Sequence, residues 1–116
     1  LLANPDVRFI EGDITNFDLV RNVIDDTVDY VFHEAAQAGV RISVENPFKP
    51  NNVNVLGTLN VLKASLDAGV ERVINASSSS VYGKVQYLPF DEVHPTMPVS
   101  PYGVSKLAAE HYSRVF

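Results

Sequence analysis

The pattern that most constrains this chain is the alternation of short apolar runs with amphipathic helical segments along its 116 residues. Strands that alternate with helices pair in parallel and are joined by right-handed crossovers. The sequence therefore predicts an α/β fold with a parallel sheet and flanking helices. The predicted strands are 7–11, 28–33 and 72–76, and the predicted helices are 17–24, about 50 or 51 to 68, and 101–116.

Turn and capping residues place the boundaries of these elements. Residues 12–16 predict a turn that ends in a helix cap, and Gly69 occupies the position of a helix C-cap. Ser100 and Pro101 suit the cap and the first position of the last helix. Residues 34–47 and 84–99 are predicted to be loops. The predicted apolar stripe of the long helix includes Val55, Leu56, Leu59, Leu62 and Leu66.

Tyr102 and Lys106 lie four residues apart at the start of the last predicted helix, so they share one face. A phenol is a poor base at neutral pH, but a nearby cation favours its ionised form. The spacing therefore suggests acid/base chemistry. A tyrosine and a lysine with this spacing also occur together on ordinary surface helices.

A hydroxyl-rich turn, Ser77 to Ser80, follows the strand predicted at 72–76. Open α/β sheets bind ligands at the carboxyl ends of their strands, so this turn is a candidate site. The serines are equally compatible with a solvated loop whose hydroxyls bond to their own backbone.

Composition excludes several classes of site. The net charge of −5 and the lack of a Lys/Arg cluster argue against nucleic acid as the main partner. The chain has no cysteine and its three histidines share no ligand spacing, so no metal site is predicted. No apolar run is long enough to span a membrane and no secretory signal pattern is present, so we expect no membrane contact and a cytoplasmic location.

The glycines are too far apart to form a phosphate-binding loop. The closest pair, Gly57 and Gly69, is twelve residues apart. The chain has no initiator methionine and leads at once into the strand predicted at 7–11, as though an earlier part of the domain were missing. We therefore expect the 116 residues to form part of one domain.

Five motifs follow one another along the chain: Gly12-Asp13-Ile14, residues 33–41, residues 51–58, residues 77–83, and Tyr102 to Lys106. Together they resemble the extended short-chain dehydrogenase/reductase superfamily and its NAD-dependent epimerase/dehydratase family, with most similarity to UDP-glucose 4-epimerases. The resemblance covers essentially the whole chain. It implies that residues 1–116 are a partial NAD-binding Rossmann-type domain, a doubly wound parallel sheet that lacks its first strand-loop-helix unit, its glycine-rich loop and the C-terminal substrate domain.

The resemblance implies NAD as a bound cofactor. Asp13 and Ile14 would lie beside the adenine, and Ala35 and Ala36 would line the cofactor where bulk is not tolerated. The two alanines are also compatible with close packing of a helix on a strand. The full set of implied cofactor-binding residues is Asp13, Ile14, Ala35, Ala36, Asn54, Ser77, Tyr102 and Lys106.

Two of the implied positions have alternatives. Asn54 would face the cofactor strand from the long helix, although an ordinary asparagine on the helix surface fits the sequence nearly as well. Glu34 stands where many relatives carry an apolar residue. It would place a carboxylate near the dinucleotide or form a buried ion pair with Arg41.

The implied catalytic residues are Ser78, Tyr102 and Lys106. Tyr102 would take the proton from the sugar 4-hydroxyl as hydride leaves C4 for the nicotinamide, and Lys106 would hold the nicotinamide ribose. Ser78 would hydrogen-bond the reacting oxygen. Dehydratases of the family place an Asp-Glu pair in the next two positions, whereas this chain has Ser79 and Ser80. The resemblance therefore favours 4-epimerisation over dehydration.

The partner implied is a UDP-sugar, with UDP-glucose/UDP-galactose leading and UDP-N-acetylglucosamine and UDP-glucuronate as alternatives. A nucleotide-sugar reductase and a non-catalytic binding fragment are the other readings left open. The isolated 116 residues are expected to be inactive. Relatives commonly form homodimers through a four-helix bundle, for which the long helix and the helix from Pro101 are the candidates.

Overall fold

A computed structural model of the protein describes residues 4–116. Residues 48–68 form three consecutive helical elements without a break, and we call them the long helix. The elements in chain order are α1 (Phe17–Val23), β1 (Tyr30–His33), α2 (Val40–Glu45), α3 (Phe48–Pro50), the π-helical turn (Asn51–Leu56), α4 (Gly57–Ala68), β2 (Arg72–Asn75), a 3-10 turn (Ser79–Val81) and α5 (Pro101–Val115).

The sheet of the described residues has two parallel strands, β1 and β2. Val31 lies opposite Val73, and Phe32 lies opposite Ile74. The connection between the strands contains the long helix, as expected for parallel neighbours. The predicted α/β class and the parallel pairing are therefore confirmed.

The core lies on one face of this sheet, between the strands and the helices α1 and α4. Its buried side chains are Val20, Ile24, Val61 and Ala64, and Val31 packs against them. On the opposite face Phe32 is 69% exposed and Ile74 is 37% exposed. Helices thus cover one face of the two strands, which is part of the doubly wound arrangement that the sequence predicts.

Three predicted capping residues are confirmed by their geometry. The Asn16 side chain accepts a hydrogen bond from the Leu19 amide at the start of α1 (3.1 Å). Ser100 accepts one from the Gly103 amide at the start of α5 (3.0 Å). Gly69 ends α4 with φ 76°, a left-handed conformation that glycine adopts at little cost.

The strand predicted at 7–11 is wrong for this structure. These residues have no regular secondary structure, and Phe9 is 68% exposed. A strand is stabilised by hydrogen bonds to a neighbouring strand, and within residues 4–116 the only strand pair is β1 with β2. The apolar pattern is therefore present without the pairing that would make it a strand.

The loop predicted at 34–47 is also partly wrong, because Val40–Glu45 forms α2. This helix has six residues, and its N-cap Gly39 makes no side-chain capping bond. Of its apolar residues Val40, Ile42 and Val44, each is about half exposed or more. Sequence rules for helices rely on length, caps and a buried stripe, and α2 offers none of these.

The long helix is confirmed, but its predicted apolar stripe is not. Leu56 is 44% exposed and Leu66 is 59% exposed, whereas Leu62 is buried. Both polar and apolar side chains of the long helix face inward. The buried ones include Asn54, Thr58, Asn60, Val61, Leu62, Ala64 and Ser65. The inward face therefore carries hydrogen-bonding groups in its first half, which an apolar periodicity does not detect.

No helix among residues 4–116 is long and apolar enough to cross a membrane. The part of the chain that the structure describes also contains no group of three or more histidine, aspartate or glutamate side chains placed to hold a metal ion.

Candidate active site

Ser77 and Ser78 lie just beyond the carboxyl end of β2. Ser78 caps the 3-10 turn, because its hydroxyl oxygen accepts a hydrogen bond from the Ser80 amide (3.2 Å). A hydroxyl can donate and accept at once, so this bond leaves the Ser78 proton able to reach a ligand. The Ser77 hydroxyl donates to the carboxylate of Glu110 on α5.

Tyr102 and Lys106 lie in the first two turns of α5, beside the end of β2. Lys106 is 5% exposed, and its Nζ donates a hydrogen bond to the main-chain carbonyl of Ala76, the residue before Ser77. Tyr102 is half-buried. An ammonium carries three donors, so the bond to Ala76 leaves Lys106 further donors for a ligand.

Gly103 allows α5 to approach the 3-10 turn closely. A Cβ placed on Gly103 would lie 2.5 Å from the carbonyl oxygen of Ser80 and 3.0 Å from Cβ of Pro98. Only a residue without a side chain fits between these groups. The structure thereby brings the three predicted catalytic residues, Ser78, Tyr102 and Lys106, onto two elements in direct contact.

The electrostatics around Lys106 combine burial with two carboxylates. Burial lowers the pKa of Lys106, and the negative charges of Glu34 and Glu110 partly offset this shift. Glu34 is exposed, and Arg41 pairs with Glu45 at 3.3 Å. The alternative of an ion pair between Glu34 and Arg41 is therefore wrong.

The segment after β1 contains Ala35 and Ala36, both exposed. Asn54, which is buried, holds this segment through Gln37: Oδ1 of Asn54 accepts from the Gln37 amide (2.7 Å), and Nδ2 donates to the Gln37 carbonyl (3.2 Å). Nδ2 also donates to Oγ of Ser105 on α5 (2.9 Å). Asn54 is thus an inward-facing residue of the long helix, as one of its two readings predicts.

Asp13 and Ile14 lie beside the first half of the long helix. The exposed Asp13 carboxylate accepts hydrogen bonds from the amide and hydroxyl of Thr15, both at 2.8 Å, and these bonds lower its pKa. The Ile14 side chain packs against Gly57, and its carbonyl accepts from Asn60 (2.9 Å). Both the side chain and the main-chain carbonyl of Ile14 are therefore engaged with the long helix.

Sequence reasoning missed several polar residues that join these elements. His33 is 6% exposed, and its Nε2 lies 2.9 Å from Oγ1 of Thr58. Asn60 and Ser105 are buried as well. Asn54 and Thr58 are four residues apart, which places both on one helix face, and this repeat of polar residues is the signal that would have found them.

Stability is expected to depend on pH through His33. Burial lowers its pKa, the charge of Lys106 adds to the shift, and Glu34 opposes it. The unfolded chain, with a histidine pKa near ~6.5, then binds more protons than the folded chain as the pH falls. Stability should therefore be fully present above about pH 6.5 and should fall as the pH drops from there towards the folded pKa.

The measurement is the urea midpoint of the wild type and of His33→Gln at about pH 7.5 and about pH 5.5, on either side of the unfolded pKa. Glutamine keeps a hydrogen-bonding group opposite Thr58 but does not titrate. The variant should lose less stability on acidification than the wild type. Equal losses in the two proteins would show that His33 is not the group responsible.

The chain is similar in sequence to several known proteins. Residues 2–116 match the family model described as GDP-mannose 4,6 dehydratase. A UDP-glucuronate 4-epimerase from Thermodesulfobacterium geofontis is 38% identical over 118 aligned positions, which cover 100% of this chain and 36% of that protein. A UDP-glucose 4-epimerase from Lactobacillus helveticus is 37% identical over 109 positions, which cover 93% of this chain and 33% of that protein.

A solved structure shows the same likeness in three dimensions. The dTDP-glucose 4,6-dehydratase DesIV from Streptomyces venezuelae, solved with NAD bound, superposes with a TM-score of 0.92 at 34% identity. The superposition covers 97% of this chain and 35% of DesIV. The chain thus spans about a third of the length of the relatives it matches. With a family model matched over residues 2–116 and a Rossmann-type fold in common, the chain belongs to the NAD-dependent epimerase/dehydratase family of extended short-chain dehydrogenases/reductases.

Proposed function

We propose that these residues are part of the cofactor domain of a longer enzyme, an NAD-dependent 4-epimerase of nucleotide sugars with UDP-glucose and UDP-galactose as its substrate pair. The observation that carries this proposal is the contact between α5 and the end of β2. It places Tyr102 and the buried Lys106 beside the turn that begins at Ser78. The share of the relatives' length that the chain spans supports a longer parent.

The residues present fit the two ends of NAD but not its pyrophosphate. Lys106 has donors for the nicotinamide ribose, Ala35 and Ala36 are small and exposed after β1, and Asp13 offers a carboxylate acceptor. The 116 residues contain no glycine-rich turn for the pyrophosphate. The chain therefore fits the two ends of the dinucleotide, and the proposal assigns the pyrophosphate to another part of the enzyme.

NAD, when bound, supplies the acceptor and donor of the hydride at C4 of the sugar. Tyr102 is proposed to remove the proton of the 4-hydroxyl and to return it after the sugar has presented its other face. Ser78 donates a hydrogen bond to the same oxygen and so fixes its position. Lys106 lies one helical turn after Tyr102 and is proposed to hold the cofactor ribose with the donors that its bond to Ala76 leaves free.

The residues of the 3-10 turn support epimerisation rather than dehydration. Removal of a sugar hydroxyl as water needs an acid and a base besides the tyrosine. Ser79 and Ser80 offer only hydroxyls, which neither gain nor lose a proton readily near neutral pH. The similarity to DesIV, a dehydratase, is therefore a similarity of fold, and the proposed reaction ends with the sugar still hydroxylated.

UDP-glucuronate is a second candidate substrate, because a relative 38% identical over the whole chain is a UDP-glucuronate 4-epimerase. The reaction at C4 is the same for both sugars. They differ at C6, which is a carboxylate in one and a hydroxymethyl in the other. An enzyme for the glucuronate is expected to present a cation to that carboxylate.

The experiment is to incubate the full-length enzyme with NAD and either UDP-glucose or UDP-glucuronate, and to separate the products. We expect UDP-galactose from UDP-glucose, with no net formation or consumption of NADH. Net formation of NADH would indicate a dehydrogenase, and net consumption of NADH in a parallel incubation supplied with NADH would indicate a reductase; either result would contradict the proposal. Product from UDP-glucuronate alone would keep the epimerase reaction and replace the substrate.

A second copy of the enzyme is the other proposed partner, through a four-helix bundle of the long helix and α5. Leu66 on α4 is 59% exposed and Val104 on α5 is 55% exposed, while Leu59, Leu107 and Tyr112 are half-buried. Leu62 is buried within the chain and is not available to a partner. Sedimentation of the full-length enzyme as a monomer at all concentrations would rule out this dimer.

A further inference from the structure

The side chains of Asn54 and Ser105 form a link between the segment after β1 and the first turns of α5. Asn54 is 1% exposed and Ser105 is 3% exposed. Asn54 uses Oδ1 and one N–H for the two main-chain groups of Gln37, at 2.7 and 3.2 Å, and its second N–H for Oγ of Ser105 at 2.9 Å. Both N–H donors of this amide are therefore engaged.

Ser105 extends the link to the main chain of Tyr102. Its hydroxyl accepts from Asn54 and donates to the carbonyl oxygen of Tyr102 at 2.8 Å. A hydroxyl carries one proton, so this direction of donation fixes the rotation of the Ser105 side chain. An unbroken chain of hydrogen bonds thus runs from the Gln37 peptide to the Tyr102 peptide, and we call it the Asn54–Ser105 link.

The groups that this link joins indicate that it sets the distance between two segments of the chain. It joins two segments that the proposed function places against the cofactor: residues 35–37 after β1, and the turn of α5 that carries Tyr102. Apolar side chains of similar shape hold elements together about as well as a pair of polar groups does. Hydrogen bonds add direction and length, so they set the separation of the two segments more narrowly.

We propose that Ser105 is a positioning residue, which through the Asn54–Ser105 link sets the position of Tyr102 relative to the segment that lines the cofactor. This inference rests on the proposed function, because only an acid/base role makes the position of Tyr102 matter. Ser105 itself touches neither substrate nor reacting atoms in this scheme. Its effect is transmitted through the carbonyl of Tyr102 and the peptide of Gln37.

The same helix contains a matched control. Ser113 on α5 donates to the carbonyl of Ala109 at 2.9 Å and accepts from Nδ2 of Asn75 at 3.1 Å. Ser105 and Ser113 therefore make the same kind of bonds, one to their own helix and one to an asparagine. Ser113 lies seven residues, about two turns, beyond Lys106. Ser105→Ala and Ser113→Ala each remove a hydroxyl that bonds to its own helix and to an asparagine, and Ser113 lies eleven residues from Tyr102 whereas Ser105 lies three.

The first measurement is kinetic, on the full-length enzyme. Ser105→Ala should lower kcat by about tenfold or more and leave KM for the sugar within about twofold of the wild-type value. A misplaced base stabilises the transition state less well but does not change the binding of the substrate. Ser113→Ala should leave kcat unchanged. Ser105→Thr should recover most of the loss, since a helical threonine can bond to the same carbonyl. Equal kcat in Ser105→Ala and Ser113→Ala would overturn the proposal.

The second measurement does not depend on catalysis. Hydrogen exchange of the Gln37 amide should be faster in Ser105→Ala than in the wild type and unchanged in Ser113→Ala, because Asn54 loses the partner that orients it. Unchanged exchange at Gln37 in Ser105→Ala would overturn the link even if activity falls. Faster exchange in a protein whose wild type epimerises no sugar would refute the proposed function and leave the link standing. Ser105→Cys fills the same space with a weakly bonding group and gives the same test if the alanine variant does not fold.

Discussion

Tyr102→Phe in the full-length enzyme is expected to lower kcat for epimerisation by about 10²–10⁴-fold, which is the usual contribution of a positioned acid/base group. The substitution removes one oxygen from a half-buried side chain and keeps its ring. The hydrogen bond that Ser105 makes to this residue uses the main chain and is kept as well. The binding of NAD should therefore be nearly unchanged, so that the loss lies in the chemical step.

The measurement is kcat for the conversion of UDP-glucose together with the affinity for NAD. Tyr112→Phe is the matched control, because Tyr112 is another half-buried tyrosine of α5, ten residues further along the chain. It should keep wild-type activity. If Tyr102→Phe retains wild-type turnover, Tyr102 is not the base and the proposed function loses its main support.

Gly103→Ala is expected to have the second largest effect. It should lower the free energy of unfolding, although alanine has a higher helix propensity than glycine. Alanine in place of glycine in a helix interior ordinarily stabilises by about 0.5–1 kcal/mol. Here the new Cβ would lie 2.5 Å from the carbonyl oxygen of Ser80, which belongs to the main chain and cannot turn aside. Overpacking of this kind costs about 1–3 kcal/mol, so the net effect should be a loss of stability.

The same contact should also lower the kcat of Gly103→Ala, separately from its effect on stability. To relieve the contact, α5 has to move away from the 3-10 turn, and Tyr102 is the residue next to Gly103. A displacement of about 1 Å can cost about 10²-fold in rate, so we expect kcat to fall by about that factor. The measurements are kcat at a temperature where the variant is folded, and the unfolding midpoint in urea.

Gly69→Ala separates the two consequences. Gly69 has φ 76° and no heavy atom within 4 Å of the position of a Cβ. Its replacement should therefore destabilise the fold through backbone strain, by about 1 kcal/mol, without moving α5. If Gly69→Ala keeps wild-type kcat and Gly103→Ala does not, the loss of kcat in Gly103→Ala comes from the displacement of α5 and not from lower stability. Wild-type activity in Gly103→Ala would show that α5 tolerates the displacement.

Much of the fold could be predicted because it follows from local signals. The caps at Asn16 and Ser100 and the C-terminal Gly69 act through hydrogen bonds and backbone angles within a few residues. The strands β1 and β2 are short apolar runs next to such signals. The predicted strand at 7–11 was wrong because a strand also needs a partner, which local pattern cannot supply.

The candidate site shows the same division between local and long-range signals. The spacing of Tyr102 and Lys106 and the position of Ser78 after β2 could be predicted, because each depends on one helix or one strand end. The bonds of Asn54 to Gln37 and of His33 to Thr58 join residues 17 and 25 positions apart. They depend on how the long helix packs against the segments around it, and no local sequence rule specifies that packing.

The polar inward face of the long helix has a consequence for how the fold selects a single arrangement. A helix buried through leucines alone can rotate or slide by small steps at little cost, because apolar contacts have no direction. Asn54, Thr58 and Asn60 each meet a specific partner on a different segment, at Gln37, His33 and Ile14. Any other position or rotation of the helix would leave these buried groups without hydrogen-bond partners, at a cost of about 1–3 kcal/mol each. Groups that add little to net stability thus discriminate strongly between the native setting of the helix and its near neighbours.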